Sequence, residues 1–523
     1  MPYPQTYRIV FFFLIASAVA AVSFAAETDT RNAAVMTITT EKAKEHVGVL
    51  ADDTFEGRAA GSRGNRAAGI YIIERLKRFG VAGGGAKGGY YQSFATYNNI
   101  LGQVEGSDPE LKKQTVVIGA HYDHVGYGSP NNSYGPLGRI HNGADDNASG
   151  VAGLLAVAEA LNQLPTKPRR SILFAFWDGE EGGLIGSKHW VEHPTIPLSQ
   201  IPIVVNADMI GRLRNNNLLV YGTRTCRDLR WLVSQQNDVS NLVLDFNWDI
   251  KSDSDQYSFC TRDIPYLMMH TGQHGDYHRP SDDADKINND GLRRITQLTF
   301  KVLVALCDAP RLDGFRHQAR RESHIDQNAL AQPLAPLPGR LGLAWDEKAA
   351  AQGAIIVASV TPDRAAAKGG LRSGDRLLKF AGREVGNARE FRASVLAAQS
   401  PTSVVIQRPG ENAPRELSLV LPGQPVRLGV SWRADDAEPG AMIVNRVIPG
   451  SPADLAGIRL NDRIHRVGDK QFATTQEFQQ AVAEVDGALV LEVESEGRVK
   501  TIEVPQLETA AADQPSETSR KAE

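Results

Sequence analysis

Cysteine is almost missing from this chain: Cys226, Cys260 and Cys307 are the only three in 523 residues. So few cannot build a disulfide framework, and their spacing is not that of a zinc knuckle. One bridge, Cys226 to Cys260 for instance, is compatible with an oxidising compartment, but sequence does not decide the pairing. An excess of one charge is missing too. Lysine and arginine number 57 against 61 acidic residues, a formal charge of −4. With no basic run and no RNA-binding signature, nucleic acid is excluded as an expected partner. Beyond the first 26 residues no apolar run is long enough to cross a bilayer. What remains, 42% apolar and 23% charged residues, is the composition of soluble globular domains, and the length calls for two to four of them.

The first 26 residues are different in kind. Arg8 precedes an apolar run, Ile9–Ala21, and Ser23-Phe24-Ala25 puts small residues at the −3 and −1 positions. This reads as a secretory signal peptide over residues 1–25, cut after Ala25, with no stable membrane insertion afterwards. An uncleaved anchor is the competing reading, because Ile9–Ala26 is just long enough to span; the small-residue site favours cleavage. No cysteine stands at the end of the signal for lipid attachment. Asn147-Ala148-Ser149 is a glycosylation sequon inside a loop argued below to carry chemistry. A sugar there would block that loop, which favours a bacterial exported protein, periplasmic or secreted.

Glu41–Leu50 and Ala67–Phe79 have helical periodicity. The glycine-rich stretch Gly80–Gly89 lacks the Lys-Ser/Thr ending of a phosphate loop and reads as a flexible connection. From Thr115 onward apolar strands alternate with helices: strands at Thr115–Ala120, Ser171–Trp177, Ile203–Ala207 and Ile264–Met269, helices at Val151–Leu164, Leu184–Val191 and Gly291–Leu306. Such alternation predicts an α/β fold, a three-layer sandwich with a mostly parallel central sheet, over residues 27–308. Residues 309–338, ending in Gln332-Pro333-Leu334-Ala335-Pro336-Leu337-Pro338, read as a linker. An internal repeat then appears at a constant offset of 87 residues. Arg340-Leu341-Gly342 returns as Arg427-Leu428-Gly429, and Trp345, Gly353, Pro362, Asp375, Arg376 and Phe391 return as Trp432, Gly440, Pro449, Asp462, Arg463 and Phe478. Two small β-rich domains, 339–423 and 424–506, account for it. The polar tail 507–523 is expected to be disordered.

The candidate chemistry lies where strands end. His121 and Asp123 follow the first strand, Glu180 and Glu181 the second, and Asp208 the third; His278 lies beyond the fourth. Gly143-Ala144-Asp145-Asp146-Asn147 opens a helix. Ligands of open parallel sheets gather at the carboxyl ends of the strands, so these scattered residues converge. Singly, each is an ordinary turn, cap or surface residue. Together they supply imidazole and carboxylate ligands for two zinc ions with positions left for water.

His121-Tyr122-Asp123, Gly143–Gly150, Asp178-Gly179-Glu180-Glu181, Asn206-Ala207-Asp208 and Tyr277-His278-Arg279-Pro280 resemble the motifs of the M28 peptidases, in that family's order, across about residues 41–308. Phe55-Glu56-Gly57-Arg58 and Gly61 resemble its beginning. The protease-associated domain that many members insert has no room here, because Phe94–Asn99 closes that gap. The resemblance implies an exopeptidase that removes N-terminal residues from peptides with two Zn2+ per chain. It implies His121 and Asp208 on one zinc, Glu181 and His278 on the other, and Asp146 bridging both, an arrangement that acidifies a shared water. It makes Glu180 the general base and Asp123 the acceptor that fixes the tautomer of His121. Tyr277 would donate to the tetrahedral oxyanion. Asp282 either orients His278 or caps a helix.

Several alternatives stand beside this reading. Glutaminyl cyclisation uses a related fold with one zinc, a carboxypeptidase belongs to the same family, and an inert relic could bind peptide without cutting it. The intact ligand set favours two metals and a working base. His189-Trp190-Val191-Glu192-His193 matches the H-x-x-E-H pattern of inverted zinc peptidases, but reads as the exposed end of a helix stopped by Pro194. No Gly-x-Ser-x-Gly elbow supports serine chemistry. The repeat resembles PDZ domains of bacterial proteases. That likeness implies that Arg340–Leu343 and Arg427–Val430 receive the C-terminal carboxylate of a peptide or protein, added as an extra strand. A purely structural spacer is the alternative.

Overall fold

The computed structural model describes residues 30–337 and 339–506, so the signal segment and the polar tail lie outside the described residues. Two compact units result. The first runs to Gln327 and takes in Asp436–Glu438 and Glu496–Val499; the second holds the rest. Among the described residues no helix is long and apolar enough to cross a membrane.

The first unit is built on a nine-stranded sheet, with β1 (Ala82–Gly83), β2 (Tyr91–Phe94), β3 (Tyr97–Val104), β4 (Thr115–His121), β5 (Ser171–Trp177), β6 (Val204–Ala207), β7 (Asn217–Tyr221), β8 (Val243–Asn247) and β9 (Tyr266–His270). Their spatial order is β1-β3-β5-β4-β6-β9-β7-β8, with β2 paired to β3. The four central strands, β5-β4-β6-β9, are all parallel. β3 and β7 flank them antiparallel. The alternation of strand residues assigns each to a face. Val116, Ile118, Ala120, Ile172, Phe174 and Phe176 enter one core. Val117, Leu173, Ala175 and Trp177 enter the other, with Trp190 and Phe259. Helices α1 (Thr40–Leu50), α2 (Arg63–Arg78), α3 (Gly150–Asn162) and α5 (Asn289–Asp308) cover the first face and α4 (Ile185–Glu192) the second, giving three layers. Side-chain caps start three of these helices: Thr39 for α1, Ser62 for α2 and Asn288 for α5.

The glycine-rich stretch is ordered, not a loose connection. It contributes β1, and a Cβ on Gly83 would lie 2.3 Å from the Gly88 carbonyl oxygen. The missing side chains let backbone approach backbone. The three cysteines are free and buried, so the Cys226–Cys260 bridge is not formed. Of the stretch expected to be linker, residues up to Gln327 fold with the first unit, including a helical turn at His317–Arg321.

The second unit contains a four-stranded sheet, Arg383–Glu384, Arg376–Phe380, Thr402–Gln407 and Arg415–Leu419 in spatial order, and a separate pair, Leu343–Trp345 with Val357–Val360. A five-stranded sheet follows, from Val430–Arg433 to Arg498–Val504. Helices α6 (Ala388–Ala397) and α7 (Thr475–Ala483) pack on them, with Trp345 edge-on to Phe391 and Trp432 edge-on to Phe478. The arginines of the two Arg-Leu-Gly loops bond to main-chain carbonyls of their own domains. Arg340 donates to the carbonyls of Val395, Leu396 and Ala398, and Arg427 to those of Val485 and Gly487. Arg340 thus satisfies carbonyls that the end of α6 leaves open, and Arg427 satisfies carbonyls of the loop just past α7.

Candidate metal centre

Parallel register brings the expected residues to one edge of the sheet. Pairing of β4 with β5 runs from Thr115 and Ser171 to His121 and Trp177, while Asn206 lies opposite both Gly119 and Met268. His121, the turn after Trp177, Asp208 and the segment after β9 therefore all emerge together. Asp145 and Asp146 reach the same place from the turn that enters α3. Beneath these loops lies Arg58, fully buried, donating to the carbonyls of Leu50 (2.5 Å), Asn142 (2.7 Å), Tyr122 (3.0 Å) and Gly143 (3.0 Å). One guanidinium thus ties the His121 loop to the Asp146 loop. Gly57 beside it has φ +65° and lies where a Cβ would be 2.3 Å from the His141 carbonyl, so a larger residue would part the loops.

Asp146 stands at the middle of the cluster. Its Oδ1 is 3.3 Å from His121 Nε2 and its Oδ2 is 3.2 Å from His278 Nε2. His121 Nε2 also faces Asp208 Oδ1 at 3.5 Å and Glu180 Oε2 at 4.0 Å. His278 Nε2 faces Glu181 Oε2 at 3.0 Å. Both Nε2 atoms are buried and lack a well-formed hydrogen bond, although oxygens surround them. Two groups of side chains lie close enough together to be able to hold a metal ion, His121 with Glu180 and Asp208, and His124 with Asp146 and Glu181.

Crowding sets the protonation of the cluster. Burial drives the Glu180 carboxyl well above its usual range, and the neighbouring Glu181 carboxylate adds to this against the opposing pull of His121. Burial opposes a proton on His278, yet Asp146 and Glu181 outweigh it and raise the imidazole to about 10. In the same way His121 is raised well above its usual value against burial, by Glu180, Asp146 and Asp208. For Asp146, burial is outweighed by His121 and His278, which hold it well below the carboxylate range. Five carboxylates and three imidazoles above the buried Arg58 form a donor set that suits divalent ions.

The geometry departs from the sequence expectations in several places. His121 Nδ1 donates to the main-chain carbonyl of Asp123 at 3.2 Å, while the Asp123 carboxylate is 3.8 Å away. That carboxylate accepts instead from the amides of Glu180 (3.1 Å) and Glu181 (3.4 Å), so Asp123 orients the acidic pair. Asp282 does not touch His278; its Oδ2 accepts from the amides of Asp145 (3.0 Å) and Asp146 (3.1 Å). Tyr277 stacks on His278 with ring centroids 3.9 Å apart, and burial raises its phenol. His189 stacks on Phe94 and on His193 and belongs to neither group able to hold a metal ion. Arg58 entered only as part of the segment that resembles the family's beginning and was given no role, and His124 was passed over. The second histidine of His121-Tyr122-Asp123-His124 was the available signal.

Residues 99–303 match the family model of peptidase family M28, and residues 333–407 and 443–495 match PDZ domain models. The chain carries an M28 peptidase domain and two PDZ domains. Among curated proteins the peptidase domain is 30% identical over 163 residues to leupeptin-inactivating enzyme 1 of Streptomyces exfoliatus, covering 31% of this chain and 33% of that protein. It is 34% identical over 131 residues to a probable leucine aminopeptidase 2 of Aspergillus oryzae, 25% of this chain and 23% of that one. A probable lipoprotein aminopeptidase of Mycobacterium tuberculosis is 32% identical over 172 residues, 31% of each chain. The matches thus span a third or less of these relatives' own lengths.

Proposed function

We propose that this chain is an exported aminopeptidase that hydrolyses N-terminal residues from peptides with two zinc ions and Glu180 as general base. The observation that carries the reading is Asp146, whose two oxygens face two different imidazoles at 3.3 and 3.2 Å and so divide the cluster into two ligand sets. His121 and Asp208 complete one set, Glu181 and His278 the other. Divalent ions, when bound there, supply Lewis acidity that eases ionisation of a water and offsets charge on the attacked carbonyl. Glu180 takes the proton from the attacking water and passes it to the leaving amine; its nearest imidazole nitrogen is 4.0 Å away, so the carboxylate is not tied up by a short bond there. Asp123 keeps Glu180 aimed through its amide, and the Tyr277 hydroxyl donates to the oxyanion. The PDZ domains hold peptide or protein C-termini through loop amides and strand addition, since Arg340 and Arg427 are committed to main-chain carbonyls of their own domains.

Metal analysis of the purified full chain tests this. About two zinc ions per chain are expected, with chelation abolishing cleavage of aminoacyl substrates and zinc restoring it. One ion per chain with full activity would overturn the two-metal reading and favour the single-zinc cyclase alternative.

A further inference from the structure

His124 follows His121 by three residues, beyond the end of β4. Its amide donates to the Arg58 carbonyl at 3.2 Å, which fixes the main chain, and its ring is buried. Nδ1 lies 2.7 Å from Glu181 Oε1 and 3.7 Å from Asp146 Oδ2, whereas Nε2 is buried without a partner. The ring meets His278 edge-on, centroids 5.6 Å apart. Gly143 makes room for it, because a Cβ there would be 2.4 Å from His124 Cδ2.

Distance decides between a ligand and a partner of a ligand. Two donors on one tetrahedral zinc, with bonds of about 2.0–2.1 Å, stand roughly 3.3 Å apart. The contacts of His121 Nε2 at 3.3 and 3.5 Å and of His278 Nε2 at 3.2 and 3.0 Å have that spacing. The His124 contact, 2.7 Å, is instead a charge-assisted hydrogen bond. It also uses Oε1 of Glu181, while Oε2 is the oxygen that faces His278. We propose that His124 is a positioning residue: its Nδ1–H donates to Glu181 Oε1 and reserves Oε2 for the second metal. The inference rests on the two-metal reading above. A proton on Nδ1 leaves Nε2 bare, which agrees with its having no acceptor to serve. Partners of this kind set metal affinity by holding the ligand's orientation before the ion arrives.

The test uses the full chain and its His124→Ala and His124→Asn variants, dialysed against buffered zinc with a competing chelator. His124→Ala should weaken one of the two metals about 10–100-fold and leave the other within about twofold. His124→Asn, whose amide N–H can replace Nδ1–H, should recover most of that loss. Cobalt-loaded His124→Asn should keep the unmutated number of imidazole ligands by X-ray absorption. The proposal is overturned if His124→Ala holds both metals at unmutated affinity, if asparagine behaves like alanine, or if the cobalt site loses an imidazole. An unmutated chain that binds fewer than two ions overturns the two-metal reading itself, and is recognised before any substitution is made.

Discussion

Glu180 and Glu181 are adjacent in sequence and chemically divided. Glu181 accepts from His124 and lies 3.0 Å from His278, and these imidazoles hold its carboxyl low against the burial and the Asp146 charge that oppose them. Glu180 has only a distant imidazole, so burial keeps its carboxyl high. Glu180→Gln should therefore keep the metal content and the fold while lowering turnover by at least ~100-fold. Glu181→Gln should show the loss in metal content, read by mass spectrometry of the dialysed protein. The reverse pattern would exchange their roles. His121, Asp146, Glu181 and Asp208 were legible because each follows an apolar run or opens a helix, and such boundaries can be read without knowing the fold. His278, eight residues past the end of β9, was reached through the family motif. His124 and Arg58 were not legible. Arg58 stood out only as part of a segment resembling the family's beginning, and its bonds to four carbonyls arise from tertiary packing that the sequence does not disclose.

Among the elements, the central strands and covering helices were legible since buried parallel strands are continuous apolar runs. β7 and β8 were not. They are short and half-buried, with burial alternating along each, and they fall inside a stretch with few apolar runs. The contact of α1 with α2 adds a device that periodicity does not disclose. His46 on α1 is buried, with Nδ1 2.7 Å from the Tyr71 hydroxyl on α2. Burial, assisted by Arg75 and Lys42, lowers its pKa from 6.5 to about 4. The unfolded chain binds this proton below about pH 6.5 and the folded chain only near 4, so stability is complete above the first value and falls as pH drops towards the second. The loss is on the order of 3 kcal/mol for a shift of this size. His46→Gln removes the titration and leaves a polar partner for Tyr71. Its melting temperature should fall less between pH 7 and pH 4.5 than that of the unmutated chain; equal falls would show that His46 is not the group responsible.

For the whole molecule the question is where the catalytic unit ends. All candidate metal-centre residues precede Asp283, and the proline-bearing segment after Asp308 invites a cut there. The first unit nevertheless continues to Gln327. Cys226 Sγ donates to the Asp313 carbonyl, and the Arg316 amide donates to Thr225 O at 2.7 Å. Glu322 binds both Arg224 and Arg316 through its two oxygens, at 2.5–2.9 Å, with Arg224 nearly buried. Removing one partner of a buried ion pair costs about 3–5 kcal/mol, because the other charge stays out of water. A chain ending at Asp308 should melt several degrees below one ending at Gln327, roughly 5–10 °C. The chain ending at Gln327 still lacks Asp436, which bonds Arg316 at 2.9 Å and Arg227 at 2.7 Å, and Glu496, whose carbonyl accepts from Leu244 at 2.9 Å. Asp436 is more than half exposed, so its pairs are each worth less than about 1 kcal/mol. That chain also lacks Glu438, which is buried and faces the buried Arg224 at 4.0 Å and Arg230 at 3.8 Å. It should therefore itself melt several degrees below the full protein, while cleaving small aminoacyl substrates at nearly the full protein's rate at 25 °C. Scanning calorimetry on the three lengths, with one turnover assay on each, separates the cases. Equal melting of the two truncated chains would return residues 309–327 to the status of a linker.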